Sequence, residues 1–134
     1  MGFIKRKIIA YLLKDFYALK DLSKEERERL QAIKEHDFMI GEFPVRKIAE
    51  LWNGGAPVDY RTDVTLGSID GLPEILMFSG TYDIMNIPAR RFAARLKSED
   101  HLHRYIEKEG GYHVYVLGKK AKEEFELIVS EITR

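Results

Sequence analysis

Asp83 and His113 are the residues of this chain whose types and spacing could do chemistry together. Asp83 follows a short apolar run, Ile75-Leu76-Met77-Phe78, with turn residues on both sides. Such a run suits a strand buried on both faces of a sheet, since neither face then needs polar side chains. Gly80 would let the backbone turn tightly, so that Asp83 lands just past the strand's carboxyl end. In open α/β sheets that edge is where ligands bind and chemistry occurs. His113 comes thirty residues later, in Gly110-Gly111-Tyr112-His113. A carboxylate after one strand and a histidine after the next is the acid–base half of a Ser-His-Asp triad. The imidazole would take a proton from a serine hydroxyl and return it to the leaving group, while the carboxylate holds its tautomer.

Two other groupings have a chemical reading beside a plainer one. His101 and His103 would share one face of a strand and could bind zinc with a third ligand such as Asp83 or His36. A polar strand face is the simpler account. Gly110-Gly111 could cradle a phosphate, but no helix start or Lys-Ser/Thr follows in the required place, so a turn beside His113 is favoured.

The elements that must position these residues follow from period and punctuation. Pro88 fits the first turn of a helix that continues over Ala89 to Lys97. His101 to Glu107 reads as the second strand. Lys119 to Thr133 reads as a closing helix, with Ala121, Phe125, Ile128, Val129 and Ile132 facing the sheet. Upstream, Ile4, Ile8, Leu12, Phe16 and Leu19 fall at helical spacing, so Gly2 to Lys20 leans to an amphipathic helix. Ser23 and Glu26 have the spacing of a capping box, and Leu30 and Ile33 mark the apolar face of the helix it opens. Its alternating charges read as a solvated face. His36 to Glu42 reads as a loop and Phe43 to Trp52 as a helix, stopped by Asn53-Gly54-Gly55, with Val45, Ile48, Ala49 and Trp52 as its stripe. Ala56 to Asp70 reads as a loop.

The runs Gly71-Leu72-Pro73, Gly80-Thr81-Tyr82-Asp83-Ile84, Ala89-Arg90-Arg91-Phe92 and Gly111-Tyr112-His113-Val114-Tyr115 carry a resemblance. They resemble the C-terminal part of esterases and lipases of the α/β-hydrolase superfamily, most of all the acetyl-esterase/hormone-sensitive-lipase-like branch. It covers roughly Asp37 to Arg134 and is best from Gly71 to Leu117. It implies a partial α/β-hydrolase fold, a short and mostly parallel sheet flanked by helices. It also implies that Asp83 and His113 complete a triad acting on a small ester. No cofactor or metal is implied. The resemblance would make Lys7 to Leu13 a strand, whereas the spacing there leans to a helix. The matching helix of that family follows a loop lining the acyl pocket, so the resemblance makes Phe38, Met39 and Phe43 candidates for substrate contact. Core packing is the stronger reading of these three. Where the family often has Ser-Pro, this chain has Asp63-Val64. The family's nucleophile sits upstream in a Gly-x-Ser-x-Gly elbow. Neither Ser23, Ser68, Ser79, Ser98 nor Ser130 has glycines at both positions, and a His-Gly-Gly-Gly oxyanion loop is absent.

Composition sets the frame. The 134 residues are expected to form one domain, 1–34 being an amphipathic N-terminal segment. An intact α/β hydrolase needs about twice that length. Apolar residues at 45% and charged ones at 33% fit a globular chain. A net charge of zero implies no general attraction to nucleic acid or anionic membrane. The absence of cysteine excludes disulfides and thiolate chemistry and fits a cytoplasmic location. No run is long enough for a membrane span. Expected partners are a complementary hydrolase chain supplying the serine, or a second copy of the chain pairing along an exposed sheet edge.

Overall fold

The computed structural model describes residues 19, 21–61 and 63–133. The expectations for Gly2 to Lys20 therefore lie outside the described residues, Leu19 excepted. The described architecture is mixed α/β, a two-stranded parallel sheet flanked by helices.

Helix α1 spans Lys24–Lys34 and begins as its sequence dictates. The Glu26 amide donates to Ser23 Oγ at 3.1 Å, and the Ser23 amide donates to Glu26 Oε2 at 2.7 Å. Two N–H groups that a helix start leaves open are thereby satisfied. Leu30 and Ile33 are buried, as their spacing predicts. Helix α2 spans Glu42–Asn53 and stops at Gly54, whose φ of 56° is left-handed and suits a residue without a Cβ. The expected stripe on α2 is not interior, since Ile48 and Trp52 are exposed.

Strand β1 spans Ile75–Gly80, two residues beyond the apolar run. Met77, Ser79 and Gly80 are buried while Ile75, Leu76 and Phe78 are only half-buried, so burial on both faces is incomplete. Helix α3 spans Asn86–Ser98, two residues earlier than its expected start at Pro88, which lies in its first turn. Strand β2 spans His103–Lys108 and pairs with β1 in parallel, from Ile75 opposite His103 to Gly80 opposite Lys108. Helix α4 spans Lys122–Thr133. Ala121 is buried just before it, but Phe125, Val129 and Ile132 are exposed. They do not face the sheet as expected. The buried residue of α4 is Glu124, which reaches Lys108 of β2 at 2.9 Å. Short 3-10 turns cover Val64–Leu66 and Tyr115–Leu117.

Two apolar clusters meet on α3. Phe92, Ala93 and Leu96 pack with Met77 on the sheet and with Ile69 of the loop before it. Ile87 packs with Ile84, Leu19, Leu22, Leu30 and Ile33, so α1 is seated under the turn that carries Asp83. Burying an aliphatic side chain of this size contributes about 1.5–3 kcal/mol, which makes that turn a consequence of the core. An ion pair reinforces the seat. Arg91 of α3 donates from Nη2 to Glu26 Oε2 at 2.6 Å and also from Nε to Oε1. The guanidinium holds the Glu26 carboxyl at about 2.

Candidate active site

Asp83 lies three residues past β1 and His113 five past β2, so the parallel register brings both loops to one sheet edge. The approach is closer than side chains permit. A Cβ on Gly80 would lie 2.0 Å from the carbonyl oxygen of Gly111, so only glycine lets the two backbones meet. Gly80 was expected to serve a tight turn; it has no left-handed φ, and it is needed instead for this contact. The Tyr82 amide donates to the Gly111 carbonyl at 2.9 Å, and the Gly110 amide donates to Thr81 Oγ1 at 2.8 Å. The Gly111 amide donates to the Lys108 carbonyl at 3.1 Å. Both glycine amides are thus engaged within the protein, which removes the phosphate reading of the pair.

Across this contact His113 Nδ1 lies 3.1 Å from Asp83 Oδ2. A carboxylate can only accept here, so Nδ1 carries the proton and the neutral ring presents Nε2 as its basic atom. Asp83 is 6% exposed, and its orientation is fixed from several sides. Its Oδ1 accepts the Met85 amide at 2.9 Å, and its carbonyl accepts the Asn86 amide at 2.8 Å. His113 is half-buried, and its pKa is raised above 6.5. The hydrogen bond to Asp83 is the main cause; burial opposes it, and the charges of Asp83 and Asp37 add to it. The next residue, Val114, has a φ of 53°, a left-handed conformation that a β-branched side chain rarely adopts. Such strain persists only where surrounding structure imposes it.

The other candidates separate. His101 precedes β2 rather than lying in it; its Nε2 donates to the Leu72 carbonyl at 3.2 Å, and His103 Nδ1 donates to the His101 carbonyl at 2.7 Å. Among the described residues no group of three or more His, Asp or Glu could hold a metal ion. Phe38, Met39 and Phe43 are 79%, 47% and 77% exposed, so the core-packing reading of these three is overturned. Phe38 tilts against Tyr112, the neighbour of His113, with ring centroids 5.5 Å apart.

Among the described residues no serine hydroxyl is hydrogen-bonded to His113, whose ring is bonded to Asp83. The hydroxyl of Ser23 caps α1, that of Ser68 donates to Asp70, and that of Ser79 accepts from Asn86. Those of Ser98 and Ser130 donate to the carbonyls of Arg95 and Leu127.

Sequence reasoning missed the support beneath the site. Asn86 is fully buried at the start of α3. Its Nδ2 donates to Ser79 Oγ at 3.1 Å and to Glu107 Oε2 at 2.8 Å, and its Oδ1 accepts from Arg29 at 3.1 Å. Arg90 grips Glu107 with two N–H groups, and Tyr105 donates its hydroxyl to the same carboxylate at 2.8 Å. Glu107 is held at about 2, chiefly by Arg90, while burial first and Glu107 second push the Tyr105 phenol to about 12. Ser79, Tyr105 and Glu107 stand at alternate or facing positions of paired strands. That polar period was the available signal.

No protein-family model matches the chain, and no curated protein matches it. Among solved structures it is similar to the crystal structure of a "putative esterase" from Staphylococcus aureus, at 22% identity and a TM-score of 0.66. The match covers 87% of this chain and 37% of that one, so the chain spans little more than a third of that structure's length. An identity this low shows the fold, which is esterase-like. No helix among the described residues is long and apolar enough to cross a membrane.

Proposed function

We propose that Asp83 and His113 are the acid–base pair of a carboxylic-ester hydrolase of the α/β-hydrolase superfamily, close to its acetyl-esterase/hormone-sensitive-lipase-like branch. The serine comes from outside these 134 residues. The 3.1 Å contact between His113 Nδ1 and Asp83 Oδ2, at the carboxyl ends of adjacent parallel strands, carries this reading. In it, Nε2 takes the proton of an incoming serine hydroxyl as the oxygen attacks the ester carbonyl. Asp83 stabilises the imidazolium that forms, and His113 then protonates the departing alcohol. Phe38, Met39 and Phe43 give the acyl side of the ester an apolar wall.

The test is hydrolysis of a short-chain p-nitrophenyl ester by the chain and by His113→Ala, each alone and each joined to a hydrolase portion bearing a Gly-x-Ser-x-Gly elbow. Alone, both should stay near background. With the elbow present the rate should rise, and His113→Ala should lower it by about a thousandfold or more. Elbow-dependent turnover indifferent to His113 would sink the proposal.

A second reading is a non-catalytic module that binds a partner or a second copy. The exposed Phe43, Ile48, Leu51 and Trp52 of α2 favour it. Concentration-dependent dimerisation lost in Leu51→Glu, with no elbow-dependent turnover, would select this reading.

A further inference from the structure

We propose that Asp37 is a positioning residue of the Asp83–His113 site: its carboxylate fastens the 37–40 loop to the Asp83 turn and so sets Phe38 and Met39 as a wall beside His113. The proposal rests on the esterase reading for what that wall contacts, and on hydrogen bonds alone for the fastening.

Three main-chain N–H groups converge on this one side chain. Oδ1 accepts from Met39 at 3.0 Å and from Ile40 at 2.8 Å, which folds the loop on itself. Oδ2 accepts from Ile84 at 2.9 Å, across 47 residues of sequence. Ile84 directly follows Asp83, so the carboxylate grips the main chain next to the one that holds His113. Hydrogen bonds to an ionised acceptor are about twice as strong as neutral ones, and this one joins segments that no helix or strand connects.

The flanking residues repeat the grip. His36 stacks on Tyr82, with ring centroids 4.1 Å apart and planes within 14°. Phe38 meets Tyr112 at 5.5 Å. Three successive side chains, at 36, 37 and 38, therefore touch the residue before Asp83, the residue after it and the residue before His113. Behind them Ile40 packs on the cluster containing Ile84 and Ile87. Without Asp37, the two ring contacts and the packing of Ile40 would have to hold an exposed apolar loop in place. The charged groups acting on His113 are Asp83, which it touches, and Asp37, which acts through space.

The experiment is NMR on the wild-type chain, Asp37→Ala and Asp37→Asn. It reads hydrogen exchange at the Ile84 amide, the Phe38–Tyr112 ring contact and the His113 imidazole titration. In Asp37→Ala the Ile84 amide should exchange about tenfold faster or more, the expected mark of losing its bond to a charged acceptor. The ring contact should vanish and the His113 titration should move to lower pH. Asp37→Asn keeps an acceptor oxygen without the charge. It should restore the ring contact and most of the Ile84 protection, while His113 still titrates below wild type. Loss of the ring contact with unchanged His113 would make Asp37 a packing residue only and overturn its positioning role. Unchanged Ile84 exchange in Asp37→Ala would overturn the fastening. If the alanine variant does not fold, Asp37→Asn decides: exchange at the Ile84 amide faster than in wild type supports the fastening by a charged acceptor, and exchange equal to wild type overturns it. None of these readouts involves ester hydrolysis, so their failure leaves the esterase reading standing, and absence of turnover leaves them standing.

Discussion

Helices α1 and α2 are nearly the same length, 11 and 12 residues, and α2 is the more sharply amphipathic of the two. They have opposite fates. Helix α1 buries Leu30 and Ile33 against Ile84 and Ile87 and clamps Arg91 through Glu26. Helix α2 leaves Phe43, Ile48, Leu51 and Trp52 in solvent. Periodicity states that a helix has an apolar side. Whether anything covers that side depends on neighbours that the helix's own residues do not encode.

The contrast can be tested from its strongest end downward. Ile33→Ala should remove about 3 kcal/mol from the folding stability measured by urea, because it empties part of a closed core. Glu26→Gln should cost less, about 1 kcal/mol, since water still reaches the pair with Arg91. It should also flatten the acid side of the stability profile. The folded carboxyl sits at about 2 against an ordinary 4.5, so its contribution is full above 4.5 and disappears as pH falls toward 2. Urea midpoints at pH 7 and pH 3 should converge in the variant relative to wild type. Trp52→Ala should change stability by no more than about 0.5 kcal/mol, the usual range for an exposed position. If its cost matched that of Ile33→Ala, α2 would be covered in solution and the comparison would fail.

Much of the molecule is legible before its folding is known, where the determining interactions are local. The Ser23–Glu26 capping box, the Gly54 stop and the apolar run of β1 involve residues within a few positions of one another. The Asp83–His113 contact was legible for another reason: placing each residue just after a strand makes a parallel sheet bring them together. Legibility fails where distant residues decide the outcome. The exposure of Phe38, Phe43 and Trp52 and the outward turn of Phe125 on α4 depend on what lies opposite. Asn86 lies before the expected helix start and carries no signal of its own, and only its partners Ser79, Glu107 and Arg29 show that it is a buried junction. Asp37 was hidden in the same way, with one oxygen on its own loop and the other on Ile84.

The meeting of Gly80 and Gly111 bears on mutational drift. Ordinary neighbouring loops are kept apart by side chains, and their spacing changes whenever one of those side chains does. Here the spacer has no thickness, because main chain touches main chain. Substitutions elsewhere in the two loops can alter their charge, bulk and surroundings without widening the gap. A side chain at either glycine instead enters the contact directly. The two loops thus form a single mechanical piece whose dimension is set by the polypeptide itself.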